Sequence, residues 1–324
     1  MNIETTSLYA WAPERWTLEE QWSSIRLPKI TIGVLSYNRK NDLRRTLDCI
    51  TRSIQYPDYE VIVVDNASVD GSVEMIRSEF PSVQIIALDN NIATAGRNYF
   101  YNAAKGKYIF SYDDDSFPAT PASIYEIVIY LEKDIHCDAI SFYCYQPLTG
   151  FAESGELEKF RFAGSPQKGY EGLYFVEGGM CIRSSSWNKI EGYDPDFVWG
   201  AEGADLTLQM YKDGMKTMYH PRFATLHMKS TINRNYKTNV CFFTRNYIWT
   251  LSKHFPIYAS IPLIILYILR KIIAICLYPK FATAYLKGIK DGILGIPTQR
   301  KKRKKFNLRQ VLGLKRWYLF LYRW

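Results

Sequence analysis

The sequence is short of paired cysteines, of an apolar leader and, over its last stretch, of acids. Its six cysteines (Cys49, Cys137, Cys144, Cys181, Cys241 and Cys276) form no CxxC pair and no spacing typical of a disulfide framework or zinc site, so reduced thiols are expected. The first twenty residues carry acids and no apolar run, so neither a secretory signal nor a transit peptide is readable and synthesis is expected to end in the cytosol. From Lys253 to Trp324 there are sixteen Lys or Arg and a single acid, Asp291. Residues 1–252 hold 25 Lys or Arg against 31 acids. The net charge of +9 therefore hides a mildly acidic region and a strongly basic one, with different partners.

What is present is a chain able to bury a substantial core: 324 residues, 47% of them apolar, which is more than one compact domain usually needs. Short β-rich runs, KITIGVL (29–35), EVIVV (60–64), VQIIAL (83–88) and KYIFSY (107–112), alternate with amphipathic stretches. Leu43, Leu47, Ile50 and Ile54 recur at helical spacing, as do Val73 and Ile76. Strand and helix alternating at this interval predict βαβ units, an α/β fold with a parallel sheet and helices on both faces. In such sheets ligands bind beyond the carboxyl ends of the strands. There the sequence places SYNRK, DNASVDGS, DNNIATAGRN and DDDS, one after each run. Any one of these is ordinary turn or cap chemistry, but four at the same topological position point to a shared site.

The most telling of the four is KYIFSYDDDSFPAT (107–120), which runs from a buried strand into Asp113, Asp114 and Asp115. Crowded carboxylates repel one another and lose hydration, so a compensating cation is expected. Oxygen ligands favour Mg²⁺ or Mn²⁺, and a site with few protein ligands leaves positions for phosphate oxygens.

The set VLSYNR, VIVVDNASVDGS, NxxxAGRN, SYDDDS, EGGMCIR, GYDPDF and WGAEGADL, in that order over about residues 29–230, resembles glycosyltransferase family 2. The resemblance implies a GT-A fold, a mixed Rossmann-like sheet with helices on both faces. It also implies inverting transfer from a nucleotide-diphosphate sugar, with a divalent-metal motif of the DXD type. It assigns a nucleotide-sugar half at 29–118 after an N-terminal extension (1–28), and an acceptor half at 119–252. Tyr37, Asp65 and Asn66 would border the base, flanked by Ser36, Arg39 and Asn91, with Arg97 near the base or diphosphate. Asp113 and Asp114 would lie against the donor, Asp113 and Asp115 would hold the metal, and His227 could join them. Glu177, Gly178, Gly179 and Trp199 would meet the acceptor, with Arg183 a further sugar or phosphate contact.

The family's proton acceptor falls at a position that reads Gly203 here. That leaves Glu202, Asp205 or Asp196, or metal and positioning alone, with Glu202 the first choice and Asp205 the second. A nucleotide-sugar-binding scaffold without turnover is the rival from another class. Nucleotidyl transfer is a third reading, although SYNRK stands where a glycine-rich phosphate loop would be expected.

Beyond residue 252 the composition changes. In FPIYASIPLIILYILRKIIAICLYP, Arg270 and Lys271 divide the apolar run into pieces too short to cross a bilayer. QRKKRKK (299–305) and KRWYLFLYRW add cations and aromatics. Residues 253–324 are therefore expected to lie as amphipathic helices on an anionic membrane surface, peripheral to the inner face, with a buried helical hairpin or oligomer contact as the first rival and nucleic-acid binding as the second. Acceptors would be glycans or lipid-linked glycans, as in bacterial surface polysaccharide synthesis. The oligomeric state is not readable.

Overall fold

A computed structural model describes residues 27–147, 151–152, 164–165, 168–172, 175, 177–230, 232 and 235–314. The first half reads β1 (Ile30–Ser36), α1 (Lys40–Ser53), β2 (Tyr59–Asp65), α2 (Ser72–Glu79), β3 (Gln84–Ala87), α3 (Arg97–Ala103) and β4 (Tyr108–Asp113). The four apolar runs become these four strands, which pair in parallel in the order β3-β2-β1-β4.

Next come β5 (Ser116–Pro118), α4 (Ser123–Lys133), β6 (Cys137–Gln146), β7 (Phe151–Ala152), β8 (Gly164–Ser165), β9 (Gly169–Glu171), β10 (Met180–Arg183) and α5 (Ser184–Trp187). They are followed by α6 (Glu202–Lys212), β11 (Lys216–His227), α7 (Tyr236–His254), α8 (Ile257–Leu277), α9 (Ala282–Lys302) and α10 (Leu308–Gly313). β10 lies antiparallel between β4 and β6, and β11 is parallel to β6. The parallel sheet expected from the βαβ pattern is thus the first half of a larger mixed one. β10 reverses direction because the chain enters it from a loop on the carboxyl edge, and this brings Glu177 to that edge.

Alternation along each strand fills both faces. On β2, Val61 and Val63 join the cluster that includes Leu43 and Leu47 of α1, while Ile62 and Val64 join the one that includes Phe100 of α3 and Leu206 of α6. Gly33 has no side chain because one would lie 2.1 Å from the Phe100 ring, so α3 can sit flush on β1.

The C-terminal helices form a second body of core. α9 packs along α7 through Gly288, Gly292 and Gly295, spaced at i, i+4 and i+7; a Cβ at Gly295 would lie 2.3 Å from the Trp249 indole nitrogen. That N–H donates to the Gly292 carbonyl at 3.1 Å.

Two expectations for this region change. The apolar run is not divided at Arg270 and Lys271. α8 is one unbroken helix of 21 residues, long and apolar enough to cross a membrane, and Lys271 is tucked inward, its ammonium 5.0 Å from the Tyr267 ring and 5.5 Å from the Tyr285 ring. Nor does the 299–305 segment offer all its charges to a surface. Lys302 bonds Asp194 and Asp196 at 2.7 Å each, Arg303 reaches Glu191 at 2.8 Å, and Lys305 caps the Lys253 and Arg303 carbonyls at 2.8 Å. The core's acids draw these cations inward. The final KRWYLFLYRW lies outside the described residues.

Candidate active site

At the carboxyl edge of the sheet the three aspartates separate. Asp113 follows the pleat to the side of α3, where it pairs with the buried guanidinium of Arg97. Arg97 also donates to Ser111 Oγ at 2.8 Å and to the Tyr112 carbonyl at 3.2 Å. Asp114 turns to the opposite side, accepting from Arg39 at 3.0 Å and from the Tyr37 N–H at 3.3 Å. Asp115 turns inward: its carboxylate accepts from the Ser230 N–H at 2.7 Å and lies 3.1 Å from His227 Nε2. Burial raises the Asp115 pKa, but His227 and then Arg39 outweigh it and hold the carboxyl well below the usual range. Burial, opposed by Arg39, pushes Asp114 up to about 7.

One ligand atom from each of Asp113, Asp115 and His227 fits within 4.8 Å of the others. His227 arrives because the end of β11 pairs with β5, which sets it opposite Ser116. Two carboxylates and an imidazole suit Mn²⁺, and tolerate Mg²⁺ through the oxygens. The residues present therefore fit a divalent ion.

The surrounding loops are bent to converge here. Asn38, Ala67, Ala93, Ala201 and Lys229 have positive φ (50° to 66°), and they follow β1, follow β2, precede α3, precede α6 and follow β11. Left-handed alanine is costly, and such strain gathers where backbone must be aimed at a ligand. No sequence signal announced the three alanines.

The family model for glycosyl transferase family 2 matches residues 31–190, the span that builds this edge. The chain belongs to glycosyltransferase family 2. It is 25% identical over 197 residues to the putative glycosyltransferase EpsE of Bacillus subtilis, covering 58% of this chain and 69% of that one. It is 32% identical to the chondroitin synthase of Escherichia coli over 121 residues but spans only 18% of that protein. Among solved structures it resembles the mannosyltransferase PcManGT of Pyrobaculum calidifontis in complex with GDP-Man and Mn²⁺, with a TM-score of 0.56, 18% identity and coverage of 98% of this chain and 88% of that one. This likeness and those to other GT-A structures establish the fold. The protein is a glycosyltransferase acting on nucleotide sugars.

Within this family-2 glycosyltransferase the residues singled out from sequence fall into distinct places. Asn66 pins the turn before α3, donating to the Ala93 carbonyl and accepting from the Ile92 N–H, both at 3.0 Å. Asp65 is buried and accepts from the Ser68 N–H at 2.8 Å. Ser36 is buried, Tyr37 and Arg39 are part-exposed beside it, and Asn91 is exposed, holding its own turn through the Ala93 N–H at 2.8 Å. Gly178 and Gly179 are close-approach glycines, since side chains would lie 2.5 Å from Asp113 Oδ2 and 2.8 Å from Thr225 Oγ1. Trp199 is exposed by 38% and stands edge-on to Phe243.

Three expected contacts are elsewhere. Arg183 sits at the far end of β10, donating to the carbonyls of Cys137, Leu131 and Asp134 at 2.6 to 3.0 Å, so it is structural. Asp205 is buried on α6, bonded by Lys253 at 3.0 Å and His254 at 2.8 Å. Those two bonds share Oδ1, and Oδ2 accepts from Gln209 Nε2 at 3.0 Å, so both oxygens are engaged within the fold. Asp196 is held by Gln299 and Lys302 at 2.7 Å each. Glu202, at the first turn of α6, remains at the site, 3.5 Å from Thr94 Oγ1.

Proposed function

We propose that this glycosyltransferase inverts the anomeric centre, depends on a divalent cation, and passes its sugar to a glycan or lipid-linked glycan at the cytoplasmic face of a membrane. The observation that carries the metal dependence is the grouping of Asp113, Asp115 and His227 beside the buried Arg97. The bound cation would neutralise the donor diphosphate, which is also the leaving group. Arg97 fixes the Asp113 carboxylate, Ser230 and His227 fix Asp115, and Asn66 holds the turn that closes over the base. Glu202 stands on the acceptor side, where a carboxylate can take the hydroxyl proton. Direct displacement from the face opposite the diphosphate then inverts configuration.

Screening UDP-, GDP- and dTDP-sugars for Mn²⁺-dependent hydrolysis tests this reading. At least one donor should be cleaved in Mn²⁺ or Mg²⁺ and not in EDTA. Tight binding without cleavage across all donors and acceptors would favour a scaffold, and release of pyrophosphate would favour nucleotidyl transfer.

The membrane part rests on α8. Ile261, Ile265, Leu269 and Ile272 form one exposed face, while Leu263, Ile264, Tyr267 and Lys271 pack inward. A helix held by protein along one side and apolar along the other suits the interface. Replacing Ile261, Ile265 and Leu269 together by Glu should release the protein from phosphatidylglycerol vesicles, read by sedimentation. Unchanged co-sedimentation would remove α8 from that role.

A further inference from the structure

The acidic side chains around the site differ in what already engages them. Asp113 meets Arg97, Asp115 meets His227 and Ser230, and Asp114 meets Arg39. Asp205, Asp194 and Asp196 are taken by Lys253, His254 and Lys302. Among the described residues Glu177 and Glu202 differ from these in entering no ion pair. Each has a carboxyl oxygen, Oε1 of Glu177 and Oε2 of Glu202, that is sealed from solvent and has no hydrogen-bond partner. Leaving such atoms unsatisfied costs about 1–3 kcal/mol each, which is tolerable where a substrate group completes them.

Glu177 lies against Gly203, the residue that follows Glu202 in the chain. A side chain there would begin 2.4 Å from Glu177 Oε1 and 2.6 Å from the Phe175 carbonyl, so the carboxyl of Glu177 occupies the space that residue 203 leaves open. Its position is fixed from both sides. The Glu177 carbonyl accepts from Ser111 Oγ at 3.0 Å, and the next residue, Gly178, lies against Asp113. Glu177 thus sits between the metal-side carboxylate and the start of α6.

We propose that Glu177 and Glu202 form a two-carboxyl proton acceptor, with Glu177 supplying, from the loop before β10, the group that position 203 of α6 does not carry. This rests on the glycosyl-transfer reading above. As the acceptor oxygen bonds to the anomeric carbon, the bond from that carbon to the diphosphate oxygen breaks and the diphosphate keeps the electron pair. The acceptor's proton passes to the ionised member of the pair and leaves later to solvent. The charge of Glu202 disfavours ionisation of Glu177, so the two carboxyls are linked in taking up a proton. Burial raises both, Glu177 further through the charge of Glu202, and Glu202 to about 7; Arg97 opposes the rise and Asp113 adds to it. The buried phenol of Tyr193 completes the ionisable surroundings.

Full-length protein labelled with [5-¹³C]glutamate, as wild type, Glu177→Gln and Glu202→Gln, tests the pair without any substrate. The wild type should show a glutamate carboxyl titrating near neutral pH, and Glu177→Gln should move the Glu202 step down by about one pH unit or more. Turnover is read as release of nucleotide diphosphate from UDP-, GDP- and dTDP-sugars with Mn²⁺ and water as acceptor. Each single variant should lose at least ~100-fold in kcat. The acid limb of the surviving activity in Glu177→Gln should shift downward, which a structural role would not produce. Affinity for UDP or GDP with Mn²⁺ should hold. An unmoved Glu202 titration, or wild-type kcat in Glu177→Gln, overturns the pair while leaving the donor site intact. Failure of the wild type to bind either nucleotide with Mn²⁺ overturns the donor reading and the pair's catalytic role together.

Discussion

Asp115→Asn should abolish turnover, lowering kcat/KM by at least ~10³-fold, and should weaken Mn²⁺-dependent nucleotide binding by ten-fold or more. The substitution keeps the shape of a side chain that is fully buried, so the backbone around Ser230 has little reason to move. What changes is one negative charge and one lone-pair set beside His227 and Asp113. Asp113→Asn should be nearly as damaging, because it also frees Arg97. Asp114→Asn is the discriminating control. Its carboxylate bonds Arg39 and the Tyr37 N–H and is not one of the three grouped ligands, and Arg39 also lies 3.6 Å from Asp115, so the substitution should cost far less turnover and leave the Mn²⁺ titration midpoint nearly in place. Nucleotide release kinetics and Mn²⁺ titration separate these outcomes. An Asp115→Asn protein working within ten-fold of wild type, or an Asp114→Asn protein as dead as it, would refute the assignment.

Lys253→Met should destabilise the fold by about 3–5 kcal/mol, the cost of leaving buried carboxylates without their cation. The Lys253 ammonium is fully buried and bonds Asp194 at 2.6 Å and Asp205 at 3.0 Å. Lys302 and Arg303 reach the same acids from α9 and the residue after it, so the clamp ties α6 to the C-terminal helices. Asp205 lies three residues after Glu202, and loosening it should displace the catalytic end of α6.

The same cluster sets an acid sensitivity. Burial lowers the pKa of His254 to about 4 despite the pull of Asp205, so the ring is neutral in the folded chain and donates Nε2–H to Asp205. The unfolded chain binds that proton from about pH 6.5 downward. Stability is therefore full above that pH and falls as pH drops toward 4, by up to about 3 kcal/mol. Urea unfolding at stepped pH measures both effects, and His254→Gln should flatten the decline. A Lys253→Met protein with an unchanged unfolding midpoint would mean the clamp carries no net stability.

Much of the donor side could be read in the sequence because each polar cluster immediately follows an apolar run. In a parallel sheet that local order alone dictates a common edge. SYNRK, DNAS and DDDS converge for this reason, and their strands begin and end within a residue or two of the apolar runs. The division of labour among three adjacent aspartates was not readable. It follows from the pleat and from which partner happens to stand on each side, Arg97, Arg39 or His227.

The sequence by itself determined the strand and helix order of the first half, the family and the acidic site at the end of β4, because those depend on neighbours along the chain. Only the tertiary structure decided which carboxyls are free to act. Glu177 and Glu202 are separated by β10, α5 and a loop, and Glu177 reaches the residue beside Glu202 because β10 runs against its neighbours and residue 203 has no side chain. Asp205 and the basic segment were likewise decided in three dimensions. Opposite charges far apart in the chain find each other wherever burial makes an unpaired ion too costly.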